Sequence, residues 1–280
     1  MSGYLELAAS MTLYGLGIVA QSAAACRVGE RSRSRIGFLS RLLADKVYLF
    51  GFTSQIGAFG LAFLARASLP LYLVQAGSCA AIGVGALLGA LVLRWRIRPA
   101  ELAALAIIAA GLVLLAGAST VSVARDIPPG FAVALFGTVA AGAVVLIPVS
   151  RVNAGLASAV LAGVAFGVVA VVSRTLADEP LAGLLFSPLT WLMVLAAVVG
   201  QSGLALALKS GPATSVVASM DATSVVLASV AGMTVLGDQI VPGRQWSVAS
   251  GLSLVLAGVL VLGSCRQTPV VDGVRAHGTA

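Results

Sequence analysis

Apolar residues run along this chain in unbroken blocks separated by short stretches of Pro, Gly and charge. About twenty residues in a helix cross the roughly 30 Å of a bilayer's hydrocarbon. Nine blocks come near that length: Tyr4 to Cys26, Val47 to Ala65, Leu69 to Leu93, Leu102 to Ser119, Phe131 to Val149, Gly155 to Ser173, Leu189 to Leu208, Pro212 to Leu236, and Trp246 to Ser264. A spanning backbone must satisfy its own polar groups, so it forms a helical bundle or a closed barrel, and barrel strands would alternate apolar with polar. The blocks do not alternate, which predicts an all-α integral membrane protein of about nine transmembrane helices. Helix-breaking prolines agree: Pro70, Pro99, Pro128, Pro129, Pro180, Pro188, Pro212 and Pro242 fall at block boundaries, and Pro148 lies near the end of a block.

Composition strengthens this reading. The 280 residues are 59% hydrophobic and 10% charged, against about 25% charged in soluble domains, and the mean hydropathy is +1.06. The first block has no basic stretch before it and no small-residue cleavage site after it, so it reads as a retained helix. The net charge of +7 does not point to nucleic acid, because the 17 basic residues sit in short loops and form no stripe beside exposed aromatics. Of those 17, 13 follow odd-numbered helices and four (Arg66, Arg125, Arg174, Arg244) follow even-numbered ones. The positive-inside rule then puts the N-terminus outside and the C-terminus in the cytoplasm of a multi-pass inner or plasma membrane protein. The loop RVGERSRSRIGFLSRLLADK mixes arginines with Phe38, Leu39, Leu42 and Leu43; it reads first as a solvated loop and second as a segment lying on anionic lipid. The tail RQTPVVDGVRAHGTA is polar and is expected to be disordered.

The chain also repeats itself. GLAFLARASLP from Gly60 parallels GLALALKSGP from Gly203, with Arg66 matching Lys209 and Pro70 matching Pro212. Each stretch leads into a long helix, a short polar loop and a last helix carrying AAGLVLLAG from Ala109 or LAGVLVLG from Leu256. Helices two to four thus recur as seven to nine, and the odd offset inverts one copy relative to the other. The expected organisation is a first half-repeat over 1–119 (helices one to four), a linking helix five within 120–154, a second half-repeat over 155–264 (helices six to nine) and a cytoplasmic tail over 265–280. Inverted repeats of this sort build secondary transporters, whose sites lie near the midplane between the halves.

In the second half a Pro-led helix from Pro212 ends in the acidic step LGD at Leu236 to Asp238 and is followed by the spaced Gly251 and Gly258. In the first half Arg96 in LRWRIRP stands at the acidic place, and Gly111 matches Gly258. This pattern resembles the EamA-like repeats of the drug/metabolite transporter superfamily, whose usual plan is ten helices in two fives. Nine helices with an outside N-terminus resembles the NIPA-type magnesium transporter branch. The resemblance implies a transporter fold with no resident cofactor, and on its second form a route for a divalent cation.

The residue that calls for a function is Asp221, one carboxylate near the middle of the eighth helix. Charge at the centre of a membrane helix costs at least about 2.5 kcal/mol on insertion scales, so it should face the bundle interior. Its helix face includes Thr214, Ala218, Ser224, Val225 and Ala228. The repeat sets it opposite Cys79, beside Ser78 and one turn from Gln75. Asp221 is therefore expected to bind a coupling proton or a cationic solute, with Ser224, Thr214, Gln75 and Ser78 lining the same space; the alternative is a buried carboxyl that holds helices together. Gln55 and Gln201, each near glycines, read equally as substrate contacts or as interhelical hydrogen bonds. Glu6 reads as interfacial, and Asp238 with Arg244 reads either as a gate pair or as a solvated loop. Gly85 with Gly89, and Gly163 with Gly167, have the small-xxx-small spacing of tight helix packing.

Enzyme readings fail on their partners. Ser202 in GQSG resembles a rhomboid nucleophile, yet the one histidine, His277, lies in the polar tail. Intramembrane aspartyl proteolysis needs two aspartates, and no P-loop, HExxH or dinucleotide turn is present. Cys26, Cys79 and Cys265 are far apart with no CxxC, so no zinc site or disulfide framework is expected. The expected function is secondary transport of a small metabolite or drug-like solute by alternating access, with proton coupling through Asp221. Divalent-cation transport is the second reading; Mg²⁺ prefers oxygen ligands, and beyond Asp221 the chain offers Glu6 and Glu101 near opposite surfaces. A non-transporting subunit binding lipid or a partner protein is the third. Expected partners are a small solute or cation and membrane lipid, with homodimerisation left open.

Overall fold

The structure is a computed structural model and describes residues 2–29, 44–93, 98–120, 125, 127–152, 155–177, 179–210 and 213–264. The basic loop through Phe38 and Leu43 and the tail after Ser264 lie outside the described residues. Among the described residues the chain is all-helical, with an isolated bridge between Ser119 and Ile240. Among these residues nine helices are long and apolar enough to cross a membrane: α1 (Ser2–Gly29), α2 (Lys46–Ser68), α3 (Leu71–Leu93), α4 (Pro99–Ala118), α5 (Pro129–Val152), α6 (Gly155–Leu176), α7 (Pro188–Ser210), α8 (Ala213–Thr234) and α9 (Gln245–Ser264). A single helical turn, Leu181–Leu184, precedes α7.

Helix starts follow from the residues that open them. Asp45 caps α2, its Oδ1 accepting from the N–H groups of Val47 (2.8 Å) and Tyr48 (3.1 Å). Pro99 opens α4, where the missing N–H is no loss, and Glu101 reaches back to the Arg98 N–H at 3.0 Å. That gives Glu101 a capping role at the helix end. Pro129 and Pro188 open α5 and α7, whereas Pro148 is carried inside α5.

The apolar surface of the bundle faces outward as well as inward. Phe50, Ile56, Leu91, Val113, Trp191 and Trp246 are exposed, a pattern that fits a multi-pass membrane protein. Inside, one apolar core joins α1–α4 to α8 and α9, and a second joins α5–α7 to α8. The packing is paired: α1 lies along α2 as α6 lies along α7, α1 also packs on α3 as α6 packs on α8, α4 meets α9, and α3 meets α8. α5 sits against α6 and α7. Glycine sets the closest crossings. A Cβ on Gly111 would fall 2.8 Å from the Gly251 carbonyl oxygen, and one on Gly258 would fall 3.0 Å from that of Ala104. Gly85 lies against Gly15, Gly163 against Met220 and Thr223, and Gly167 against Leu227.

Two basic residues depart from the expectation. Arg66 and Arg174, assigned from the sequence to loops, lie in the last turns of α2 and α6 and are buried, at 5% and 0% exposure. The helices run through them because each guanidinium finds an internal partner: Arg66 lies 5.9 Å over the Phe59 ring and Arg174 bonds inside the bundle.

Candidate functional site

α3 and α8 cross at the centre of the chain's two cores, and the polar residues predicted to share a space meet there. Gln75 Nε2 donates to Ser224 Oγ at 2.8 Å; both residues are buried, at 8% and 2% exposure. One turn further along α3, the Cys79 thiol lies 4.0 Å from the Asp221 carbonyl oxygen. Four residues separate Gln75 from Cys79, so the two contacts lie about 6 Å apart along the helix. Ala218, Val225 and Ala228 are buried with Ser224, which turns this face of α8 inward, and Asp221 is half-buried beside them.

Two acceptors at this crossing are left without partners among the described residues. Among the described residues the Asp221 carboxylate makes no hydrogen bond or ion pair, and Gln75 Oε1 is buried with none. An unmatched acceptor inside a low-dielectric bundle is costly unless something donates to it. α1 packs along α3, with Gly15 against Gly85, a contact that the sequence reading did not name.

The other predicted residues separate. Ser78 lies on α3 next to this cluster, but its hydroxyl donates to the Val74 carbonyl of its own helix at 2.9 Å. Gln55 accepts from Gln21 Nε2 at 3.2 Å, an α1–α2 tether. Gln201 is exposed on α7, as is Ser202, whose hydroxyl turns back to the Val198 carbonyl at 2.8 Å. The side chain of Thr214 lies outside what the structure describes. Asp238 does not pair with Arg244: it pairs with Arg174, while Arg244 donates to the Gly117 carbonyl. The sequence pairing failed because the turn after α8 aims Asp238 inward. Among the described residues no three His, Cys, Asp or Glu side chains gather as metal ligands. A laterally open apolar cleft of about 760 Å³ lies between α5, α6 and α8, lined by Phe131, Leu135, Val168 and Leu227 and, next to Asp221 in the chain, by Ala222 and Thr223.

The Gln75–Ser224 bond ties the halves together, and interhelical bonds of this kind average about 0.6 kcal/mol and reach about 1.7 kcal/mol. A double-mutant cycle of Gln75→Leu and Ser224→Ala, read by reversible unfolding in detergent, should return a coupling in that range. A coupling of zero would mean that the two side chains do not act as a pair in the folded protein.

Compared with protein-family models, with curated proteins and with solved structures, the chain matches none.

Proposed function

We propose that this chain is a secondary transporter of the drug/metabolite kind, moving a small solute that offers a proton or a cationic hydrogen-bond donor to Asp221. The observation that carries the reading is a pair of acceptors where α3 crosses α8, the half-buried Asp221 carboxylate and the buried Gln75 Oε1, neither of which has a hydrogen-bond partner among the described residues. Intramembrane carboxylates of this sort mark proton or substrate paths. An ammonium group, an amine or a hydrated proton supplies the missing donors, and its positive charge suits the carboxylate. Divalent-cation passage is the weaker reading, because Mg²⁺ takes several oxygen ligands and this crossing offers one carboxylate.

The inverted repeat is supported by the register of the contacts. In that register Cys79 exchanges with Asp221, and each touches the other. Gly111 exchanges with Gly258 and Ala104 with Gly251; the approach of Gly111 to Gly251 has its mate in the approach of Gly258 to Ala104. Helix pairs match in the same way, α1 on α3 with α6 on α8. Such a pair of halves can rock about the α3–α8 and α4–α9 crossings and expose Asp221 to each side in turn. In the cell membrane, the basic loops orient the chain with its N-terminus outside.

The test is thermal unfolding of the purified protein and its Asp221→Asn variant with amino acids, amines, nucleosides, drugs and Mg²⁺ at two pH values. A ligand bound only by the folded state adds about 2.7 kcal/mol at a hundred times its dissociation constant. Amines should stabilise the wild type and not the variant. If no solute shifts either protein while both stay folded, transport is the wrong reading and a lipid-binding or partner-binding subunit replaces it.

A further inference from the structure

Besides the Gln75–Ser224 and Cys79–Asp221 contacts at the crossing, hydrogen bonds among the described residues join the second half to the first half and the segment after it at the end of the bundle where α2, α6 and α8 finish and α3 begins. Val241 N–H donates to Ala118 O at 3.1 Å, Arg125 N–H to Leu236 O at 3.0 Å, and Thr120 Oγ1 to Gln239 O at 3.2 Å. At their centre is an ion pair whose side chains are 0% exposed: Arg174 Nη2 to Asp238 Oδ1 at 3.3 Å. The other carboxylate oxygen, Oδ2, accepts from the Leu71 N–H at 2.6 Å, at the first residue of α3. Arg174 Nη1 donates to the Arg66 carbonyl in the last turn of α2. One ion pair from the second half thus holds both helix ends of the α2–α3 junction in the first half, a carboxylate at the positive N-terminus and a cation at the negative C-terminus.

The backbone is shaped for this. Gly237, at φ +73°, turns the chain back after α8, and the Asp238 N–H closes on the Gly232 carbonyl at 2.9 Å. A Cβ on Gly232 would fall 2.6 Å from Asp238 Oδ2, so the carboxylate reaches α3 only because Gly232 has no side chain. In the sequence repeat Arg96 matches Asp238, so the first half lacks the latch's carboxylate at that position.

We propose that Arg174 and Asp238 are the gate at this end of the bundle, an ionic latch between the halves that parts to admit solute to Asp221; this rests on the transport reading. Leu71 and Cys79 are eight residues apart on α3, so the latch stands about 12 Å above the Asp221 level. Closed, it seals that distance. Open, it frees the α2–α3 junction from α6 and α8 and exposes a pair that water can solvate, so that hydration offsets the lost ion pair.

Cys79, 4% exposed and in contact with Asp221, reports the opening. With Cys26 and Cys265 changed to serine it is the sole thiol. In sealed vesicles of either orientation, its modification by a membrane-impermeant maleimide is followed by mass. The paired variant Arg174→Gln with Asp238→Asn removes both charges and strands neither; it should react about tenfold faster or more than the parent when the latch end faces the reagent, and at the parent's rate in the other orientation. An unchanged rate in the folded variant overturns the gate, as does equal acceleration from both sides, which would be general loosening. If the one-sided acceleration is present but no solute of the panel slows it, the latch stands and the transport reading falls.

Discussion

Replacing Asp238 with asparagine should destabilise the protein by about 3–5 kcal/mol, the cost of removing one partner from a buried ion pair. The variant leaves two buried guanidiniums side by side, since Arg66 lies within the electrostatic reach of Arg174 and has Nε and Nη1 without hydrogen-bond partners. Adding Arg174→Met should recover much of the loss, because the stranded charge goes and the asparagine carboxamide still accepts from the Leu71 N–H. Recovery will be incomplete, since the Arg66 carbonyl loses its donor from Arg174. Unfolding midpoints in a denaturing detergent titration give the order: wild type, then the double variant, then Asp238→Asn. Equal midpoints for all three would mean that the pair is solvated and contributes nothing.

Valine at Gly251 should cost at least about 1–3 kcal/mol and loosen α4 from α9. A Cβ there would fall 3.0 Å from the Gly111 carbonyl and 2.9 Å from Leu115 Cγ. Backbone cannot turn aside as a side chain can, so the helices must part. Gly60→Ala is the control: nothing lies within 4 Å of a Cβ at that position, and alanine favours helix over glycine by about 1 kcal/mol. The repeat matches Gly60 to Gly203, yet at Gly203 a Cβ would meet Ala162 Cβ and the Ser158 carbonyl at 3.2 Å. Thermal midpoints should therefore fall for Gly251→Val and for Gly203→Val, and hold or rise for Gly60→Ala. A fall at Gly60 equal to that at Gly251 would show that the α4–α9 crossing is no tighter than open surface.

The candidate site was partly legible. Asp221, Gln75, Ser224 and Cys79 were readable because helical spacing and the repeat register together place residues on a face and pair the faces. Gln55 and Gln201 were not separable, since both are glutamines beside glycines; the rotation of each helix turns one toward Gln21 and the other outward. Ser78 sits on the right helix but spends its hydroxyl on its own backbone.

The number and length of the nine helices among the described residues, their largely apolar surface and the boundaries at Pro99, Pro129 and Pro188 were written locally in the chain. Hydrophobic length, helix capping and proline's missing N–H act within a few residues, so one segment at a time suffices. Arg66 and Arg174 looked like loop charges because a local count stops at the first cation. Their burial depends on partners far away in sequence: Asp238 lies 64 residues beyond Arg174 and 167 beyond Leu71. An arginine is buried only where a carboxylate, a carbonyl or an aromatic face offsets its lost hydration, and which of those stands opposite is a property of how the two halves pack. The same holds for Gly60 and Gly203, identical in sequence role and opposite in surroundings, because close packing is set by the neighbour across the helix interface and not by the helix that carries the residue.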